Sequence, residues 1–296
     1  QFVYDEAKVK LDLPFQSFKE AFLSAVKTMV IGVVNAGGTL SDRWKRSIIE
    51  AIESGLNIAS GMHTRLSDVP EIFDAAKKYG VNLYDLRFSN QTFSTGKGSK
   101  RSGKRLLTVG TDCSVGKKYT ALAIEKAMKE NAFKCEFKAT GQTGVLIAER
   151  GIAIDAIVSD FVSGAVEWLS PDNDSDHWDI IEGQGSLFHP SFAGVSLGLL
   201  HGSQPDAIIL CHEPTRTNMR GVDTSIPSIQ ECIDENIRLG KLTNPNIRCI
   251  GVALNTSDMN SDSKELKSKI SKENNLPCFD PLTDDLSQII DEIRNI

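Results

Sequence analysis

A two-domain α/β fold with parallel, doubly wound sheets is predicted by three observations. Short apolar runs rich in Val and Ile alternate with amphipathic helical stretches, the order that buries a parallel sheet under helices. One polar Gly/Ser/Lys-rich stretch, residues 94–103, interrupts that alternation. Directly after it, an apolar run leads into a glycine-containing turn and then a helix, residues 106–118. The 296 residues suit two domains, given a prior of about 150 residues for each.

In the first half, residues 28–34 form a continuous run, Thr-Met-Val-Ile-Gly-Val-Val, of the kind that fits a strand buried on both faces. It stops at Asn35, Ala36, Gly37 and Gly38. Ser41 then caps a helix that puts Trp44, Ile48, Ile49 and Ile52 on one face, and Gly55 ends it. Residues 56–59 read as the next strand, followed by Gly61, Met62, His63, Thr64 and Arg65. A helix over 69–79 and a strand over 82–86 complete a β-α-β-α-β series, a small parallel sheet of Rossmann-like type. Its opening strand has no evident partner before it, so the domain reads as lacking its first strand. The Rossmann-like domain is assigned to 1–95 and a linker to 96–104, because such a composition cannot bury enough apolar surface to order itself.

From residue 105 the alternation is longer. Strands are expected at 106–109, 135–139, 179–182, 207–211 and 249–254, with helices at 118–129, 155–169, 192–200 and 228–239 between or after them. A last helix over 285–293 aligns Leu286, Ile289, Ile290 and Ile293. Five short apolar strands separated by helices make a doubly wound sheet over 105–296, whose ligands bind at the carboxyl ends of the strands.

Composition excludes several classes. Lys and Arg number 33 against 39 Asp and Glu, a net charge of −6, so no broad basic field exists for nucleic acid. No apolar run approaches the ~20 residues of a membrane span, and mean hydropathy is −0.19. Six scattered cysteines without paired spacing read as reduced thiols. A cytoplasmic protein, with a homodimer as the base-rate assembly, is expected.

Strand ends carry the candidate chemistry. In the turn Gly110, Thr111, Asp112, Cys113, Ser114, Val115, Gly116, backbone N–H groups, the helix dipole and the Lys117 ammonium converge on phosphate oxygens, which makes this a P-loop NTPase-like domain. Two features depart from the usual P-loop. Gly110 lies one position early, and Lys118 stands where a Ser or Thr normally ligates Mg²⁺. No metal ligand set is assigned. Glu182 ends a strand ahead of Gly183 and Gly185, and would hold Mg²⁺ in a nucleotide hydrolase or deprotonate an ammonium in an acyl transferase. His212 reads as a base or an oxyanion donor, with His189 of similar standing, and Arg216 and Arg220 as clamps for a substrate carboxylate. Gln142 and Thr143, after the 135–139 strand, suit a substrate contact, and the Asn255 amide suits an adenine edge. Cys113 sits near a helix N-terminus and Lys117, which would lower its pKa and permit a thioester; the alternative is a small loop-filling residue. His63 and Arg65 end a strand in the first half and suit an anionic ligand.

These strings carry a resemblance. Residues 110–117 and 182–185 resemble the P-loop and acidic strand end of dethiobiotin synthetases, and Asn255 resembles that family's adenine-contacting position; the likeness covers the C-terminal half and fails at Lys118. A closer likeness spans nearly the whole chain. Residues 31–38, 58–65, 100–105, 141–144, 161–168, 181–190 and 212–221 look like the D-glutamate N-acetyltransferase (DgcN-like) family. The resemblance implies transfer of an acetyl group from acetyl-CoA to the amine of D-glutamate, with a Rossmann-like domain followed by a P-loop domain. Coenzyme A carries several phosphates at its ADP-like end, so a P-loop can hold it without hydrolysis. Lys118 adds a cation where Mg-nucleotide chemistry needs a hydroxyl, and Mg²⁺ is not expected to be required. Two other readings stay open: an ATP-dependent ligase or kinase of dethiobiotin-synthetase type, and a nucleotide-gated binding protein.

Overall fold

The structure, a computed structural model, describes residues 15–34, 38–259 and 263–296. The chain divides into two compact units, residues 1–89 and 90–296.

In the first unit, helix α1 (Phe18–Leu23) begins at Ser17, whose hydroxyl takes the Glu20 N–H while Glu20 reaches back to the Ser17 N–H. Strand β1 (Thr28–Ile31), helix α2 (Asp42–Glu53), strand β2 (Asn57–Ser60), helix α3 (Pro70–Tyr79) and strand β3 (Leu83–Asp85) follow. The strands form a parallel sheet in the order β1-β2-β3. Ile48, Ile52, Leu56, Ile58, Leu66 and Ile72 fill the core between sheet and helices. The run expected over 28–34 is shorter, because β1 pairs with β2 only as far as Ile31 opposite Ser60. Beyond that point Val33 and Val34 are exposed, and so is Val30 within the strand. The run is therefore not buried on both faces. Of the turn expected after it, Asn35, Ala36 and Gly37 lie outside the described residues.

The second unit holds strands β4 (Lys104–Gly110), β5 (Lys134–Lys138), β6 (His177–Ile181), β7 (Ala207–His212), β8 (Arg248–Leu254) and β9 (Cys278–Phe279). They form a six-stranded sheet in the order β5-β6-β4-β7-β8-β9, and every pair is parallel. Helices α4 (Lys117–Glu130), α5 (Gln142–Ala148), α6 (Val162–Leu169), α7 (Ala193–Ser203), α8 (Ile229–Gly240), α9 (Ser263–Asn274) and α10 (Ser287–Arg294) cover it. Leu107, Ile181, Ile208, Leu210, Val252 and Leu254 are buried between the layers, each contributing about 2 kcal/mol by removal from water. The chain leaves β4 toward β5 on one side and later returns to β7 on the other, so the switch point of the sheet opens at the carboxyl end of β4.

The structure differs from expectation at three places. The helix expected over 155–169 is two 3-10 turns, Ile154–Ala156 and Ser159–Phe161, followed by α6. Ile157 and Val158 adopt extended backbone angles, as β-branched residues ahead of a Ser-Asp turn favour. The sheet has six strands rather than five, because the short β9 joins its edge beside β8. The segment 94–103 is not a free connector, since it belongs to the second unit and is bolted to it. Lys97 and Gly98 donate backbone N–H bonds to Glu167, and Ser102 donates to Asp172. The buried Arg105 side chain donates to the carbonyls of Arg101, Ser102, Gly103 and Pro171. Gly164 makes the fit possible, since a Cβ there would lie 1.8 Å from the Ser94 carbonyl oxygen.

Candidate functional site

Strand β4 delivers residues 110–116 to the switch point. Ser114 and Gly116 take left-handed backbone angles, φ +54° and +99°, which curl the loop before α4 begins. Lys117 is buried, and its ammonium turns back to donate to the Asp112 carbonyl at 2.7 Å. Burial lowers its pKa against the pull of nearby Cys211, Cys113, Asp112 and Glu182, and an anion in the loop would favour its charged form. Helix α4 takes its first internal bond at Thr120 N–H to the Gly116 carbonyl. The backbone N–H groups of residues 114–119 find no acceptor among the described residues, which is the donor array of a helix N-terminus facing an anion.

Beside the loop, β6 ends at Ile181, Glu182 follows it directly, and Gly183 lets the two strands approach. A Cβ at Gly183 would lie 1.5 Å from the Thr108 carbonyl oxygen, and the Gly183 N–H donates to Thr108 Oγ1 at 2.9 Å. Glu182 is buried, and its Oε2 accepts the Thr140 and Gly141 N–H groups at 3.0 and 3.2 Å. Burial pushes its pKa up, while those N–H groups, Lys118 and Lys117 pull against the rise.

A crevice of about 520 Å³ joins these pieces, with Cys113–Thr120, Gln142, Glu182–Gly185, Asn255 and Ser257 on its walls. Asp280, Pro281 and Leu282 line it as well, and sequence reading missed them because β9, the strand they follow, is two residues long. Thr256 donates its hydroxyl to Asp280, fixing this end of the crevice, and the side-chain Oδ1 of Asn255 accepts from Ser257 Oγ at 2.8 Å.

His212 Nδ1 is hydrogen-bonded to Thr111 Oγ1 at 2.9 Å, and burial lowers its pKa, so the ring is neutral near pH 7. Arg216 holds no open fork for a carboxylate. Its Nη1 donates to Asp112 Oδ2 at 3.0 Å and to the Cys113 carbonyl at 2.8 Å, its Nη2 to the Ser114 carbonyl at 2.9 Å, and its Nε faces Glu213 Oε2 at 3.0 Å. Arg220 remains exposed, with Nη1 on Ser114 Oγ at 2.8 Å. Asp112 is buried beneath both arginines. Burial, the largest single influence on its carboxyl, opposes ionisation. The N–H groups of Arg220 and Cys113 and the Arg216 guanidinium outweigh it and hold the pKa below the usual carboxylate range.

Four further candidates sit in distinct settings. His189 is buried, its Nδ1 accepts the Ser191 N–H at 3.1 Å, and its Nε2 donates to the Arg220 carbonyl at 3.1 Å. With both ring nitrogens engaged it braces the loop and has no site left for a substrate proton. The Cys113 thiol is pushed up, by burial first and then by Asp112, rather than lowered by its helix, which disfavours a thiolate. Asp112, Cys113 and His189 offer ligand atoms within 4.8 Å of one another, but those bonds to His189 and Asp112 occupy the donor set a cation would need. Thr143 sits exposed on α5, and Arg65 belongs to the first unit, its guanidinium 5.9 Å from the Phe88 ring centroid. Among the described residues no helix is long and apolar enough to cross a membrane.

Comparison with known proteins fits this architecture. A family model described as the DUF1611_N Rossmann-like domain matches residues 7–89, and one described as the DUF1611_C P-loop domain, a domain of unknown function, matches residues 92–290. A curated protein from Pseudoalteromonas sp, named D-glutamate N-acetyltransferase, is 52% identical over 276 residues, covering 93% of this chain and 83% of that protein. Another of the same name, from Tritonibacter scottomollicae, is 44% identical over 292 residues, covering 97% of this chain and 86% of its own length. The crystal structure of a DUF1611 family protein from Anabaena variabilis superposes with a TM-score of 0.87 at 30% identity, over 95% of this chain and 83% of that one. With both domains matched in order and the fold shared across them, the chain belongs to the DUF1611 family.

Proposed function

We propose that this protein is a D-glutamate N-acetyltransferase that takes its acetyl group from acetyl-CoA. The identity of 52% to a protein of that name supports the reaction. The geometric observation that carries the donor is the pairing of Lys117 and Lys118 at the mouth of a loop whose N–H groups find no acceptor among the described residues. Such a site favours a polyphosphate anion and lacks the hydroxyl that would ligate Mg²⁺ in nucleotide hydrolysis.

On this reading the loop, Lys117 and Lys118 hold the phosphates of coenzyme A, with Asn255, Pro281 and Leu282 at the nucleoside end. Glu182, on the crevice wall with a raised pKa, takes the proton from the D-glutamate ammonium. The freed nitrogen lone pair attacks the thioester carbonyl carbon, the C–S bond breaks, the sulfur leaves as a thiol carrying the proton from Glu182, and the emptied Glu182 carboxylate takes the remaining extra proton from the nitrogen and passes it to solvent, leaving a neutral amide. His212, tied to Thr111, orients the loop rather than serving as base. Arg220, exposed beside the mouth, holds a substrate carboxylate. The raised Cys113 thiol favours direct transfer over an acyl-enzyme. Free, unpaired cysteines support a reducing cytoplasmic setting, and a homodimer is the assembly proposed on base rates.

The test is to mix the protein with acetyl-CoA and D-glutamate, without ATP, and follow thiol release and product mass. Thiol released only when the amino acid is present, together with a product heavier by one acetyl group, is the expected result. Absence of thiol, with ADP formed once ATP and Mg²⁺ are added, would replace the reading with a ligase or kinase.

A further inference from the structure

We infer that Arg216 is a positioning residue that builds the anion site by holding the loop's carbonyls, not a residue that touches the amino acid. This inference rests on the proposed use of the loop for phosphate. A trans peptide points its C=O and the following N–H in opposite directions. Arg216 takes the carbonyls of Cys113 and Ser114 from one side of the loop at 2.8 and 2.9 Å, so the N–H groups of Ser114 and Val115 point to the other side. Lys117, the ammonium on the opposite side of the loop, takes the Asp112 carbonyl at 2.7 Å. Cys113 N–H, the partner in that peptide, is consumed by Asp112 Oδ1 at 2.6 Å. The array of acceptor-free donors therefore starts where Arg216 begins to grip the carbonyls.

The guanidinium is itself fixed in orientation. Asp112 and Glu213, both buried, engage Nη1 and Nε. Glu213 is locked by Thr215, whose N–H and hydroxyl both donate to Oε1, leaving Oε2 for the arginine. The planar fork matters here, since a lysine ammonium cannot span two successive carbonyls and two carboxylates at once. Arg216 thus acts on bound phosphate through the peptide planes, with no direct contact.

The experiment is calorimetric titration of coenzyme A, ADP and inorganic pyrophosphate into wild type, Arg216→Lys and Glu213→Gln, alongside KM values for both substrates. Arg216→Lys keeps the charge but should weaken coenzyme A binding by about 10-fold, with KM for D-glutamate unchanged. Glu213→Gln should shift affinity the same way by a smaller factor, about 2- to 3-fold. A raised KM for D-glutamate with unaltered coenzyme A affinity would make Arg216 a substrate clamp and overturn the inference. If wild type binds ADP and pyrophosphate but not coenzyme A, and Arg216→Lys weakens those, the positioning role stands while the donor assignment fails. Wild type binding none of the three would remove both.

Discussion

Two glycine-containing loops that flank the same strand meet opposite fates in this molecule. Residues 96–104 and residues 110–118 are both rich in Gly, Ser and Lys, and both flank β4. In the first, backbone donors are met by protein side chains: the Glu167 carboxylate for Lys97 and Gly98, the Asp172 carboxylate for Ser102, and the Gln204 amide oxygen for Arg101. In the second, the donors of residues 114–119 face a crevice without an acceptor among the described residues. The first loop has its anion built in; on the proposed reading, the second takes its anion from solution. Glu182 belongs to the first kind, because its carboxylate already fills the N–H pair of Thr140 and Gly141.

Perturbing each kind should separate function from stability. The largest effect is expected for Glu182→Gln, which should lower kcat by about 10²- to 10⁴-fold. In wild type kcat should fall toward acid, through a pH above the usual carboxylate range, because the ionised form is the base. The same raised pKa makes ionisation costly to the fold: the carboxyl's contribution is fully present below its unfolded pKa and is lost as pH rises through the folded value. Glu182→Gln should therefore melt at or above the wild-type temperature near pH 7, with the gap closing toward about pH 4. A variant both inactive and markedly less stable would contradict the assignment.

Lys117→Ala comes next, with coenzyme A affinity expected to fall about 100-fold; unchanged affinity by calorimetry would take the loop out of donor binding. Arg105→Ala strikes the self-satisfied loop instead. Stranding the carbonyls it holds should cost about 3 kcal/mol, a melting-temperature drop of roughly 6–12 °C, with coenzyme A affinity retained. Glu167→Gln is the mildest, about 1 kcal/mol in thermal unfolding. Loss of ligand affinity on altering Arg105 or Glu167 would dissolve the distinction between the two loops.

The sequence makes the alternation of both sheets and the loop at 110–117 legible, since continuous β-branched runs and a strand-turn-helix signature are local properties. What it hides is partnership. The stretch at 94–103 reads as a connector because its composition is polar, while the carboxylates that hold it lie far along the chain, at Glu167 and Asp172. Arg216 looks like a clamp for the same reason, its acceptors being carbonyls about a hundred residues away. Helix α9 is too polar to show a stripe, with Ile270 as its buried residue, and β9 is too short to stand out from a loop. His189 illustrates the converse, a chemically versatile side chain whose ring nitrogens are spoken for by backbone.

The close approach of β6 to β4 bears on how this crevice can diversify. Gly183 has a carbonyl where its side chain would be, Gly116 is held at φ +99°, and a Cβ at Gly185 would lie 2.7 Å from Ser196 Oγ. That wall is main chain, so substitution has nothing there to enlarge or recharge. Variation in the groups this scaffold accepts has to enter through its remaining lining, at Tyr119, Gln142 and Leu282. A lineage can change its ligand at those places without disturbing the anion loop, and the division between fixed floor and variable rim is set by glycines rather than by catalytic side chains.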